Sequence, residues 1–260
     1  MRLHVHEWGA PEAPPVICVH GVSAHGRRYR KLAEERLGIR YRVLAPDLRG
    51  HGRSAWEPPW NLETHVGDLL ETFADLGPVP WVGHSFGGRL VLELAATEPE
   101  RVTVAVLLDP AIQILPHVGF DFAQEAAKEH FFGSVDQAID ARLAGNPLTP
   151  RSFVEEEARE HLAPGPDGRL HWQYARAAVA AMYGEICREP PPHTALADIP
   201  TLLVHAEQFG LVLEEQLEDY QDTAELLAVP GGHIVYWDAY EQTADAVEEF
   251  LIRHTSVSHP

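Results

Sequence analysis

The segment Gly83-His84-Ser85-Phe86-Gly87-Gly88 holds a serine with a glycine two positions away on each side. It follows the apolar run 79–82 and precedes a run typical of a helix. A serine at such a strand-to-helix turn takes a strained backbone conformation that lifts its hydroxyl clear of the sheet, and side chains at the flanking glycines would collide. The pattern predicts that Ser85 is a nucleophile and that the N–H of Phe86 points at the group it attacks. A glycine-rich turn of a nucleotide-binding fold is the alternative.

Two other glycine-containing segments follow predicted strands. Acyl transfer requires two N–H donors that stabilise the oxyanion. In His20-Gly21-Val22, which follows the second predicted strand, we expect the Val22 N–H to be the second donor beside that of Phe86. A plain turn is the alternative. Gly231-Gly232-His233 follows the last predicted strand. A histidine on such a loop can reach Ser85, and its ordinary pKa of about 6.5 lets it take and return a proton at neutral pH. We therefore predict His233 as the general base.

Two further clusters of polar residues have structural interpretations. The third predicted strand is followed by Asp47-Leu48-Arg49-Gly50-His51-Gly52-Arg53-Ser54. We expect Asp47 and Arg49 to hold loops through charge-assisted hydrogen bonds. His4 and His6 alternate on one strand and could resemble a pair of metal ligands. No third ligand accompanies them in a plausible order, so a solvated strand face is the prediction and no metal is expected.

The order of the predicted elements indicates a parallel α/β sheet. Strand patterns cover residues 3–8, 16–19, 41–45, 79–82, 102–108, 201–205 and 225–229, with helical patterns between most of them. Residues 111–197 contain only helical signals, including a long run over 170–186, a capping box from Ser134 and an N-cap at Thr149. We predict a core domain of residues 1–110 and 198–260, with residues 111–197 inserted as a helical cap over the strand ends where ligands bind.

Together the HG, DxRGxGxS, GHSFGG and late GGH segments, in this order, resemble the α/β-hydrolase superfamily over about residues 3–110 and 198–253. The resemblance implies an eight-stranded, mostly parallel sheet with helices on both faces, a helical cap and a triad of serine, acid and histidine. It implies no cofactor.

The acid of the triad is where the chain departs from the family pattern. Most members carry it just after the strand that corresponds to 201–206, and there this chain has Phe209 at the expected position. Asp109 ends the strand next to the nucleophile strand, and relatives such as haloalkane dehalogenases place their acid there. We therefore expect Asp109 to fix the tautomer of His233. Glu207, on the usual loop but two residues early, is the alternative.

The composition limits the classes of partner that the protein can bind. The net charge of −19 argues against nucleic acid and anionic membranes, which both require basic patches. No apolar run approaches the roughly 18 residues that cross a bilayer, and residues 1–8 do not resemble a signal peptide. A soluble cytoplasmic protein with a small-molecule substrate is expected. The oligomeric state is not predicted.

The sequence thus predicts a serine hydrolase that cleaves carboxylic esters or lactones through an acyl-enzyme. A carbon–carbon bond hydrolase or cofactor-free lyase could use the same triad, and a ligand receptor without turnover is the non-enzymatic alternative. Because residue 85 is serine and not aspartate, the dehalogenase and epoxide-hydrolase chemistries of related folds are disfavoured.

Overall fold

A computed structural model describes residues 1–128, 130–208 and 210–255 of the chain. Phe209, where the sequence departs from the family pattern, lies outside these residues. Among them, seven strands form one sheet in the order β1-β3-β2-β4-β5-β8-β9. The strands are β1 Val5–Trp8, β2 Pro15–Val19, β3 Arg42–Pro46, β4 Val79–His84, β5 Val102–Leu108, β6 Leu162–Pro164, β7 Leu170–Trp172, β8 Thr201–Ala206 and β9 Glu225–Val229.

All pairs in this sheet are parallel except the edge pair of β1 with β3. The eight strands that the resemblance implied are wrong for the described residues, in which nothing pairs with the outer edge of β1. The seven segments that the apolar patterns marked as strands are the seven strands observed. The eighth had no segment of its own in the sequence.

Helices cover both faces of the sheet. They are α1 Arg30–Glu35, α2 Leu62–Thr72, α3 Phe86–Thr97, α4 Pro116–Ala127, α5 Val135–Gly145, α6 Arg151–His161, α7 Arg176–Glu185, α8 Glu214–Tyr220, α9 Val235–Asp238 and α10 Tyr240–His254. Alternate residues of a strand pack into opposite cores: Trp81 contacts the core of α2 and α3, and Val82 contacts that of α1 and α10. Burial on both faces explains why the central strands are mostly apolar.

Residues 111–197, called here the inserted segment, include α4 to α7 and also the antiparallel hairpin of β6 and β7. The expectation of helices alone is therefore wrong, because 170–172 is a strand and α7 begins only at Arg176. A turn closes the hairpin, with Gly168 at a φ of +76° and the Gly165 N–H bonded to the carbonyl of Arg169. Glycine tolerates this φ without steric cost.

The helix starts of the inserted segment were predicted with mixed success. Ser134 caps α5 by accepting a hydrogen bond from the Gln137 N–H, which is one half of the expected capping box; the Gln137 side chain accepts from the Gly133 N–H and not from that of Ser134. Thr149 does not cap α6; the cap position is Pro150. The Thr149 hydroxyl donates instead to Asp238 Oδ1 at 2.5 Å, which ties the segment to α9. No helix of the described residues has both the length and the apolar character needed to cross a membrane.

Candidate active site

Ser85 lies between β4 and α3 in a strained backbone conformation, with φ 55° and ψ −118°. Its N–H donates to the carbonyl of Leu108, and its own carbonyl accepts from the N–H of Ala111. A Cβ on Gly83 would lie 2.4 Å from the carbonyl oxygen of Gly87, and one on Gly87 would lie 2.1 Å from that of Val19. Only glycine fits at either position, which confirms the predicted steric reason for the motif.

The two predicted N–H donors belong to residues next to Ser85 in sequence and in the loop after β2. Phe86 is the first residue of α3, so its N–H has no partner within the helix. Val22 lines the cavity that Ser85 lines. Its neighbour Gly21 passes so close that an added Cβ would lie 2.8 Å from Ser85 Cβ. The loop after β2 therefore packs directly against the candidate nucleophile.

His20 holds that loop, a role the sequence interpretation did not give it. Its Nε2 accepts a hydrogen bond from the Leu48 N–H at 2.9 Å, so Nδ1 carries the proton and donates to the Gly21 carbonyl at 2.7 Å. Burial lowers the pKa of His20 well below its ordinary value and keeps the ring neutral. Because the C=O and N–H of a trans peptide lie in one plane and point in opposite directions, the hydrogen bond to Gly21 O directs the Val22 N–H away from His20.

His233 and Asp109 are hydrogen-bonded. His233 Nδ1 donates to Asp109 Oδ2 at 2.5 Å. Asp109 follows β5 with a φ of +39°, and its side chain is fully buried. The carboxylate also accepts from the Ala206 N–H at 3.2 Å and the Leu211 N–H at 3.3 Å. Both N–H groups flank the loop after β8, the usual place of the acid, whereas the Glu207 side chain on that loop is exposed.

His84 fixes the backbone of the His233 loop. Its Nε2 donates to the carbonyl of His233 at 2.9 Å, and the two rings lie 4.6 Å apart. Burial, followed by the effect of His233, lowers the pKa of His84 well below its ordinary value, so the ring remains a neutral donor. Nothing in the motif around Ser85 indicates this hydrogen bond, which joins residues 149 positions apart.

Ser85, His84, His233 and Val22 line one cavity of about 250 Å³. The inserted segment and the loop after β8 supply its apolar wall, namely Ile114, Phe122, Tyr183, Ile186 and Leu211. The rings of Phe122 and Tyr183 stack with their centroids 5.2 Å apart. A larger cavity of about 370 Å³ is lined by Trp172 and Tyr174 and does not reach Ser85.

The alpha/beta hydrolase family profile matches residues 16–246, which is most of the chain. The chain belongs to this family. A relative in Mycobacterium tuberculosis, Lipase LipV, is 36% identical over 201 residues, covering 74% of this chain and 76% of that protein. Epoxide hydrolase A of the same organism is 32% identical over 190 residues, covering 65% of this chain and 58% of its own length.

Among solved structures, that of E-2-(acetamidomethylene)succinate hydrolase superposes with a TM-score of 0.83 at 25% identity, covering 96% of this chain and 95% of the other. The family and these relatives support a hydrolase that acts on a small molecule. Their names include more than one hydrolytic reaction.

The turn that begins at Asp47 braces this alpha/beta hydrolase as predicted. The carboxylate accepts hydrogen bonds from His6 Nε2 at 3.0 Å, the Gly26 N–H at 2.8 Å and the Arg53 N–H at 2.9 Å. The expectation that no third ligand accompanies His4 and His6 is wrong, because possible ligand atoms of these histidines and Asp47 lie within 4.8 Å of one another. Asp47 is distant in sequence and comes close through the pairing of β1 with β3.

Proposed function

We propose that the chain is a serine hydrolase that cleaves carboxylic esters or lactones through an acyl-enzyme. One observation carries the proposal: an imidazole bonded through Nδ1 to a buried carboxylate lines the same cavity as the serine of a strained strand-to-helix turn. That combination is what activates a hydroxyl for nucleophilic attack. The similarity to a lipase supports the ester as the bond cleaved.

The roles follow from the hydrogen bonds. The Asp109 carboxylate accepts a hydrogen bond from His233 Nδ1–H and so keeps the proton on Nδ1, which leaves the Nε2 lone pair free to remove the Ser85 proton. Ser85 Oγ attacks the carbonyl carbon, and the oxyanion accepts from the N–H groups of Val22 and Phe86. His233 then protonates the departing alcohol oxygen as its bond to the carbonyl carbon breaks. Water then attacks the acyl carbon as His233 takes its proton; the bond from that carbon to Ser85 Oγ breaks, His233 returns the proton to Oγ, and the acid is released.

Asp109 is proposed as the acid in preference to Glu207. Its buried carboxylate accepts hydrogen bonds from the His233 imidazole and from two backbone N–H groups, which are the partners that a buried polar group requires. Glu207 is exposed and its N–H is bonded to the Val229 carbonyl. The proposed acid thus lies at the end of β5, whereas most family members carry it on the loop after β8. Asp109 still contacts that loop through its two backbone hydrogen bonds.

The inserted segment is proposed as a cap domain on a core of residues 1–110 and 198–260. It carries a small core of its own around Ile139, Val154 and Trp172. It also supplies much of the cavity wall, including Phe122 and Tyr183. A cap of this kind would select the substrate, while the sheet edge would supply the reacting groups.

Hydrolysis of short p-nitrophenyl esters and small lactones tests the proposal. Ser85→Ala is expected to lower kcat by about 10⁴-fold or more, because the members of a triad act as a unit. Ser152→Ala, which changes an exposed serine of α6, is the matched control and should retain the wild-type rate. Wild-type rates in Ser85→Ala would reject the serine nucleophile. A wild type that cleaved a vinylogous diketone but no ester or lactone would favour carbon–carbon hydrolysis instead.

A further inference from the structure

The cavity at Ser85 has the opposite charge to the rest of the protein. The chain carries 39 acidic and 20 basic residues, for a net charge of −19. Yet among the described residues that line this cavity there is no aspartate or glutamate, and the charged side chains are Arg28 and Arg142. Two guanidinium groups on the wall of a small cavity in an acidic protein require a physical account.

Part of this positive charge is balanced within the protein. Arg28 donates from Nε to Glu157 Oε1 at 2.7 Å, and its Nη2 lies 2.5 Å from the same oxygen. Burial alone would raise the pKa of Glu157, but the charges of Arg142 and Arg28 outweigh it and the net shift is downward, so the carboxylate is ionised. One carboxylate thus faces two guanidinium groups, which leaves one positive charge in excess.

Arg142 is the less satisfied of the two arginines. Its Nε lies 3.4 Å from Glu157 Oε2 but without the geometry of a hydrogen bond. Within the part of the chain that the structure describes, its guanidinium makes only one hydrogen bond, a long one of 3.5 Å from Nη2 to the Ser23 carbonyl. The group stacks on the Trp172 ring at 4.4 Å, and its side chain is 13% exposed. The Arg142 guanidinium is therefore held in place, and among the described residues some of its N–H donors have no acceptor.

The cavity wall is divided between apolar and cationic parts. Ile114, Tyr183 and Ile186 pack with the core beneath α3, whereas Arg142 belongs to α5 and contacts Trp172 of a separate small core. Ser85 and His233 line the same cavity. A guanidinium that lacks part of its hydrogen bonding in a mostly desolvated site favours an anion, and its planar fork matches a carboxylate.

We propose that the substrate carries a carboxylate group, which binds Arg142 while its ester bond lies at Ser85. This inference rests on the proposed function and narrows its substrate class to monoanionic esters, such as half-esters of dicarboxylic acids. Hydrolysis of a half-ester adds water across one ester bond and releases the dicarboxylate and the alcohol. The neutral diester of the same acid lacks the bond to Arg142 and should be the poorer substrate.

The test compares monomethyl and dimethyl esters of succinate, glutarate and adipate. For the best chain length, the wild type should show a kcat/KM for the half-ester about 10-fold or more above that for the diester. Arg142→Met should lower kcat/KM for the half-ester by about 10- to 100-fold and leave the diester within about 3-fold. For Arg142→Lys, kcat/KM for the half-ester should lie between the values for the wild type and Arg142→Met, because lysine keeps the positive charge but lacks the paired donors of the guanidinium. Arg151→Met, at an exposed arginine of α6, is the control and should change neither.

Equal rates on both esters in the wild type, or an equal loss on both in Arg142→Met, would overturn the inference. Binding of monomethyl adipate and dimethyl adipate to Ser85→Ala, measured by calorimetry, judges it separately from turnover. Tighter binding of the half-ester that disappears when Arg142→Met is added supports the inference even if no ester is hydrolysed, a result that would contradict only the proposed function. Should Arg142→Met fail to fold, the wild-type ester ratio and the Arg142→Lys binding data decide.

Discussion

At the scale of single residues, the acid that orients His233 is the instructive case. Ser85 and His233 could be singled out from the sequence because glycines mark the turn and the loop that carry them. The acid could be narrowed only to two residues, since a lone aspartate after a strand has no local signal. The structure brings Asp109 to His233 across 124 positions and adds two N–H donors from the neighbouring strand end.

Replacement of the two candidate acids should have very different effects. We expect Asp109→Asn to lower kcat by about 10⁴-fold, because the amide NH₂ can donate to Nδ1 and so favours the imidazole tautomer that carries its proton on Nε2. Glu207→Ala should keep kcat within about 3-fold, since an exposed side chain contributes little. Steady-state kinetics on one ester, with circular dichroism as the check of folding, measures both. Loss of activity in Glu207→Ala with normal activity in Asp109→Asn would show that the assignment is reversed.

At the scale of elements, the strand-to-helix turn was predictable and the hairpin was not. The turn depends on residues adjacent in sequence, and the steric limits at Gly83 and Gly87 act within it. The hairpin of β6 and β7 depends on pairing across a glycine turn, and three-residue strands are too short to show an alternating pattern. Thr149 was misassigned for a related reason, because its hydroxyl is bonded to Asp238, 89 positions away.

Alanine at two helical glycines should shift stability in opposite directions. A Cβ at Gly87 would lie 2.1 Å from the Val19 carbonyl oxygen, whereas nothing lies within 4 Å of one at Gly67. We expect Gly87→Ala to lower the free energy of unfolding by about 3 kcal/mol or more through overpacking. Gly67→Ala, in α2, should raise it by about 0.5–1 kcal/mol through reduced chain entropy. Urea denaturation measures both, and equal effects would contradict the account of the turn.

At the scale of the whole molecule, buried neutral histidines connect stability to pH. His20, His51, His65 and His84 are all buried, and burial lowers the pKa of each. Between the folded and unfolded pKa values, the unfolded chain binds more protons. Stability therefore rises with pH in that interval and is lost as the pH falls below the unfolded value of about 6.5.

His65 isolates the contribution of one such ring. Burial is the main cause that lowers its pKa to about 3, and neither ring nitrogen has a hydrogen-bond partner among the described residues. Between about pH 7.5 and 5.5, a group with these pKa values costs about 1.4 kcal/mol of stability. His65→Leu should reduce the loss of unfolding free energy over this interval by that amount. An unchanged loss, measured by urea titration at both pH values, would show that His65 is not held neutral.

The charge of the cavity is also a property of the whole molecule. No local pattern predicts it, because Arg28 and Glu157 are separated by 129 positions and Arg142 reaches Ser23 across 119. Residues 155–157 are three consecutive glutamates on α6, and a run of charges on a helix usually forms a solvated face. The fold instead buries the last of these glutamates, Glu157, between two arginines. The positions of the strands along the chain and the site motifs were predictable from local patterns, whereas the order of the strands in the sheet and this charge arrangement required the fold.

The most direct test of the central claim is the site of covalent acylation during turnover. An ester reaction quenched with acid within the first turnovers, digested and analysed by mass spectrometry, should show one acyl group on the peptide that contains Ser85. The same peptide should remain unmodified in Ser85→Ala. Acylation at another residue, or steady ester hydrolysis with Ser85→Ala at the wild-type rate, would contradict the account.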